Sequence, residues 1–216
     1  MDKHLADRAR KSAGLSDSEF EQRIDSWRET ALMDGVTVDL FAEPKHVRGT
    51  FGTGENEWFT PIQYIDAARD VMGGIDLDPA THPVAQRRIK AKTFYTAGDN
   101  GLSRPWHGRV WLNPPYAQPL IADFVDKLVE EYAAGRVEQA IMLTHNYTDS
   151  AWFHAAATSA ALICFTRGRV KFLDPNGSEC APTQGQPFFY FGQASKQFAT
   201  VFRSFGFIVE PYRRGI

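Results

Sequence analysis

The stretch RVWLNPPYAQPL, residues 109–120, sets an asparagine, two prolines and a tyrosine directly behind a short apolar run. An amide oxygen on Asn113 can accept hydrogen bonds, and Tyr116 offers a flat aromatic face. Pro114 and Pro115 have no N–H to donate and a fixed φ, so they cannot extend a strand ladder and instead stiffen the corner. Such a group suits an unreactive exocyclic amine, whose lone pair is delocalised into a nucleobase ring. An amide oxygen and a main-chain carbonyl from the Pro-Pro segment could accept its two hydrogens and turn the lone pair toward an incoming electrophile. Tyr116 could stack on a base that has left its duplex, because a paired base cannot reach such a pocket. A turn of this composition can also serve packing alone, so the elements around it must be consulted.

Those elements alternate. Thr60 can cap a helix whose first position is Pro61, with Ile65, Ala68 and Met72 on one face and Gly73-Gly74 as its stop. A short strand around Ile75–Leu77 then reaches DPATHP, a stop made of an acid, small residues and prolines. RVWL reads as a strand, and Ile121, Phe124, Val125, Leu128 and Tyr132 trace a helix ending at Gly135. Beyond it, QAIMLTH and AALICFT read as buried strands around the short helix DSAWFHAAA. PFFYF, a stripe of Phe198, Val201, Phe202 and Phe205, and FIVEPY continue the pattern. Strand and helix in alternation predict an α/β domain with an open, mainly parallel sheet covered by helices on both faces. Ligands in such sheets bind at the carboxyl ends of strands, where the Asn-Pro-Pro-Tyr corner falls.

Bulk properties limit the rest. A chain of 216 residues with 43% apolar content can bury a sizeable core. The reading is of an N-terminal extension and linker over residues 1–50 and a main domain over 51–216. In the extension, SDSE at Ser16–Glu19 forms a capping-box pattern ahead of Phe20, Ile24, Trp27 and Ala31, with Gly35 as a stop. The formal charge of −2 gives no global attraction to nucleic acid, so any polyanion must be met locally. Two local clusters qualify: QRRIKAK over residues 86–92, and Arg167, Arg169 and Lys171. No apolar run approaches membrane-spanning length and the N-terminus lacks a signal-peptide centre, which predicts a cytoplasmic protein without a membrane partner. Cys164 and Cys180 are the two cysteines, and neither a disulfide framework nor a metal site is indicated.

Five blocks, GTGENEWFTP, GIDLDPATHPVAQ, DNGLSRPWHGRVWLNPPY, TDSAWF and GRVKF, resemble in order and spacing the phage-type DNA N-6-adenine methyltransferase family, over roughly residues 51–205. The resemblance implies a Rossmann-like class I methyltransferase fold, S-adenosyl-L-methionine as cofactor and DNA as partner. It implies catalytic roles for Asn113, Pro114, Pro115 and Tyr116. It places Trp58, Thr60 and Pro61 against the methionine part of the cofactor, and Asp76, Asp78, Pro79 and Ala80 in a cofactor loop. Asp99, with Leu102 following, falls where related enzymes hold the cofactor's adenine. Tyr116, Arg167, Arg169 and Lys171 would face nucleic acid. The Gly-x-Gly loop of broader methyltransferase groups is missing after Asp76, so close backbone approach must be arranged by other means. Methylation of RNA or of a protein glutamine, or an inactive nucleic-acid-binding relative, are the alternatives the same corner allows.

Overall fold

The computed structural model describes Ser16, Ser18, Glu19, Gln22 and residues 59–174, 178–180 and 184–212. The chain partitions into two units, Met1–Arg48 and Gly49–Ile216. In the first, the capping box is formed: the Ser16 N–H donates to the Glu19 carboxylate at 2.9 Å and the Glu19 N–H to the Ser16 hydroxyl at 3.4 Å. Ser18, Glu19 and Gln22 are helical. Phe20, Ile24, Trp27, Ala31, Gly35 and the linker lie outside the described residues, as does Trp58.

The second unit begins its regular structure with α1 (Ile62–Met72), stopped by Gly73 in the left-handed conformation at φ 74°. Thr60 does not cap it. Pro61 stands at the cap position, and the Thr60 hydroxyl accepts a hydrogen bond from Asn113 instead. There follow β1 (Leu77–Asp78), α2 (Gln86–Ile89), β2 (Thr93–Phe94), a 3₁₀ turn (Gly101–Ser103) and β3 (Gly108–Leu112). Next come α3 (Leu120–Ala133), β4 (Val137–Leu143), α4 (Ala151–Ser159), β5 (Leu162–Thr166) and a small hairpin of β6 (Phe172–Leu173) and β7 (Glu179–Cys180). β8 (Pro187–Phe191), α5 (Ser195–Phe202) and β9 (Gly206–Val209) complete the order.

Seven strands form one sheet in the order β2-β1-β3-β4-β8-β5-β9. β2, β1, β3 and β4 pair in parallel. β8 runs antiparallel between β4 and β5, which restores β5 to the common direction, and β9 pairs antiparallel with β5. Five strands therefore point one way and two the other, a mainly parallel sheet of Rossmann-like form. Alternate strand residues feed two separate cores. Trp111, Ile141, Leu143, Phe188 and Tyr190 pack with α1 and α5, while Val110, Leu112, Met142, Phe189 and Phe191 pack with α3 and α4. Helices thus cover both faces, the period-2 consequence of strands buried on both sides. The chain moves from β1 outward to β2 and then returns to β3 on β1's other side. That reversal opens a crevice at the carboxyl ends of β1 and β3.

Candidate active site

The crevice is a cleft of about 570 Å³ whose lining includes Thr60, Asp78, Pro79, Ala80, Leu102, Asn113, Pro114 and Pro115. Its size lies in the range of small-molecule sites, and Phe59, Trp111 and Phe124 give it apolar walls. Blocks more than thirty residues apart therefore meet in one place. Asn113 stands just past β3, with its amide N–H donating to the Thr60 hydroxyl at 3.3 Å. At the other end of the amide, the Tyr116 hydroxyl donates to the oxygen at 2.6 Å. Burial pushes the Tyr116 hydroxyl well above its ordinary value, so it stays protonated and remains a donor. The Tyr116 ring meets the edge of His145, just past β4, at 4.1 Å between centroids. Burial lowers the His145 imidazole to about 4, which keeps it neutral at physiological pH.

Asp78 is the buried acid of the cleft, 1% exposed. It accepts a hydrogen bond from the Gln86 side chain at 2.7 Å and a longer one from the Ala80 N–H at 3.4 Å. Desolvation outweighs these bonds and raises its carboxyl to about 7. Asp76, two residues earlier, has the opposite environment. Both its oxygens engage the Arg109 guanidinium, at 2.7 and 2.9 Å, and Lys92 adds a contact at 2.8 Å. Arg109 holds this carboxyl far below the usual carboxylate range. The cofactor role expected of Asp76 is not where the structure puts it: Asp76 precedes β1 at the end opposite the cleft and ties β1 to β3.

Other expected residues are also redistributed. Asp99 accepts from the Thr96 N–H at 2.9 Å and the Thr96 hydroxyl at 2.7 Å, so its carboxylate braces the loop whose neighbours Thr96, Ala97 and Asn100 line the cleft. Pro61 turns to a second concavity with Arg169 and Lys171, whereas Arg167 is exposed and lines neither. Lys171 pairs with Glu179 at 2.9 Å. Sequence reading missed Phe59, Asn100, His145 and Trp111. Phe59 and Asn100 adjoin residues it had named, but nothing local marks His145 as a neighbour of Tyr116. The missing Gly-x-Gly is answered by Gly101, where an added Cβ would sit 2.0 Å from the Pro79 carbonyl oxygen. Only glycine lets the two cleft loops approach so closely.

The arrangement has the parts for displacement at an amine: an oriented acceptor, a ring beside it, and an adjoining cleft with a buried acid. The family model described as DNA N-6-adenine-methyltransferase (Dam) matches residues 50–191. A DNA N-6-adenine-methyltransferase of Escherichia phage T1 is 32% identical over 189 residues, covering 82% of this chain and 76% of that protein. One from Haemophilus phage HP1 is 27% identical over 133 residues, covering 60% of this chain and 73% of its own. Among solved structures, the 23S rRNA methyltransferase ErmE aligns with a TM-score of 0.38 and 15% identity, covering 63% of this chain and 70% of that one.

Proposed function

The chain belongs to the DNA N-6-adenine-methyltransferase family, and on that premise we propose that it moves a methyl group from S-adenosylmethionine to the exocyclic amine of an adenine turned out of DNA. The observation that carries this reading is the Asn113 amide, held by Thr60 at 3.3 Å with its oxygen 2.6 Å from a hydroxyl donor, at the mouth of a cleft containing a buried acid. The cofactor supplies an electrophilic sulfonium methyl. The cleft suits such a molecule, because apolar walls match its uncharged parts and the Asp78 carboxyl can meet its ammonium group or ribose hydroxyls. The Trp111 indole N–H is buried without a partner among the described residues.

The chain's own residues then act by placement. Asn113 Oδ1 and the Pro114 carbonyl accept the two amine hydrogens, and the nitrogen lone pair is left to point at the methyl carbon. Pro115 keeps the corner stiff. In the structure the Tyr116 hydroxyl occupies one lone pair of Asn113 Oδ1, which stands in for an amine hydrogen; the second lone pair is available to the substrate. Tyr116 presents its ring to the base with His145 behind it. Methyl transfer leaves the amine with one proton to lose, which passes to solvent as the nitrogen lone pair rejoins the ring.

Incubation with labelled cofactor and, separately, DNA, RNA and protein tests the reading: N-6-methyladenine should appear in DNA. Label in RNA or protein alone would overturn it. Asp78 adds a pH signature. Its carboxyl titrates near 7 in the free protein, and a cationic ligand favours the ionised form. Cofactor affinity should therefore weaken as pH falls below about 7 and level off above it. Asp78→Asn should bind more weakly at high pH and lose this dependence, as read by calorimetry between pH 6 and 8.5. A wild-type affinity flat over that range would remove the carboxylate from cofactor binding.

A further inference from the structure

The two basic clusters lie about eighty residues apart in sequence, yet the fold brings part of each to one groove. A second concavity of about 680 Å³ is lined by Arg88 from α2 and by Arg169 and Lys171 from the segment leading into β6, with Gln63 and Glu179 on its walls. The convergence has a definite cause. Mutual backbone hydrogen bonds between Phe59 and Leu173 of β6, at 2.7 and 2.9 Å, fasten the end of this segment to the residues that enter α1. Along it Val170 and Phe172 are buried, so the period-2 alternation turns Arg169 and Lys171 outward on the same side. Arg88 is set in place by Arg69, whose guanidinium binds the Arg88 carbonyl and the Ile89 carbonyl, the latter at 2.7 Å.

The groove adjoins the active cleft. Thr60 and Ile89 line the cleft, while their chain neighbours Pro61 and Arg88 line the groove. Three cations face it against one acid, Glu179, which pairs with Lys171 at 2.9 Å; both of those side chains are more than half exposed. Arg88 and Arg169 have no side-chain partner among the described residues. A surface of isolated solvated charges would scatter them. Here they converge on a concave site beside the cleft of a chain whose overall charge is −2.

We propose that Arg88, Arg169 and Lys171 form the phosphate-binding groove that grips the DNA backbone next to the base being methylated, and that Glu179 restrains this grip by competing for Lys171. The proposal rests on the reading of the chain as a DNA-methylating enzyme. Guanidinium groups suit phosphate oxygens through paired N–H donors, and the ammonium adds a point charge. The contacts are to backbone and carry no base preference.

Binding of a labelled DNA duplex, followed by anisotropy across a salt series, tests this without requiring turnover. Arg88→Gln and Arg169→Gln should each weaken binding and make the slope of log affinity against log salt shallower by about one, and the double variant by about two. kcat at saturating DNA should hold while KM for DNA rises. Glu179→Gln should tighten binding and steepen the slope. Asp126→Asn, which removes an exposed acid on α3 outside the groove, should not. A double variant with an unchanged slope, or Glu179→Gln no tighter than Asp126→Asn, would overturn the groove. Slope changes seen with an RNA hairpin and not with the duplex would overturn DNA as its occupant. Absence of methyl transfer by the wild-type protein sinks the underlying reading instead, and leaves the slope comparison intact.

Discussion

Asn113→Ala is expected to lose about 10²- to 10³-fold in turnover, the scale seen when one preorganised polar group aimed at a reacting centre is removed. Cofactor binding should survive, because the apolar walls and Asp78 keep their own supports. Two bonds disappear in the variant: the amide N–H to Thr60 at 3.3 Å and the Tyr116 hydroxyl to the amide oxygen at 2.6 Å. The loss should fall on kcat, since the amide oxygen gains most where the amine nitrogen begins to carry positive charge. Asn113→Asp keeps an oxygen in place and forfeits the N–H donor, so it should recover part of the rate. Single-turnover kinetics with saturating cofactor and DNA reads the difference. Wild-type turnover in Asn113→Ala would take the residue out of the chemistry.

The second large effect is on stability. Arg109→Met removes a guanidinium that binds both oxygens of Asp76 and also donates to the Met72 and Gly73 carbonyls at 3.2 and 2.7 Å, at the end of α1. The Arg109 and Asp76 side chains are only 23% and 18% exposed, so losing these charge-assisted bonds, with Lys92 left on the acid at 2.8 Å, should cost about 2 kcal/mol. The acid limb supplies a control. Because Arg109 depresses the Asp76 carboxyl, the stabilisation is complete above the ordinary carboxylate value near 4 and fades as pH drops below it. Urea unfolding at pH 7 and pH 3 should show a wild-type advantage at the higher pH that shrinks at the lower one. Cofactor affinity at pH 7 should not change, because the pair lies away from the cleft. Equal stability of the two proteins at pH 7 would mean that the ion pair contributes nothing to holding β1 and β3 together.

These two variants separate functions that look alike in the sequence. Asp76 and Asp78 are two residues apart in one short acidic segment, and both fit a cofactor loop. The fold gives one to a guanidinium thirty-three residues away and desolvates the other at the cleft. Thr60 is a comparable case. Its type and position suit a helix cap, and it faces Asn113 only because β3 ends beside the start of α1. Asp99 was legible as a loop acid, but its bonds to Thr96 turn the carboxylate to bracing the loop while Asn100 lines the cleft.

Whatever depends on a few neighbouring residues could be read directly. The Asn-Pro-Pro-Tyr corner, the apolar run before it, the stop of α1 at Gly73 and the capping box at Ser16 each follow from local sterics and local hydrogen bonding. Alternation of these elements was enough for a sheet with helices on both faces. It was not enough to insert β8 antiparallel between β4 and β5, because an apolar run such as PFFYF fits any strand buried on both sides. The Asp76–Arg109 pair, the Tyr116–His145 contact and the meeting of Arg88 with Arg169 came only from tertiary structure. Each joins residues far apart along the chain, and their proximity is set by which strand lies beside which, a choice made by the packing of the whole core.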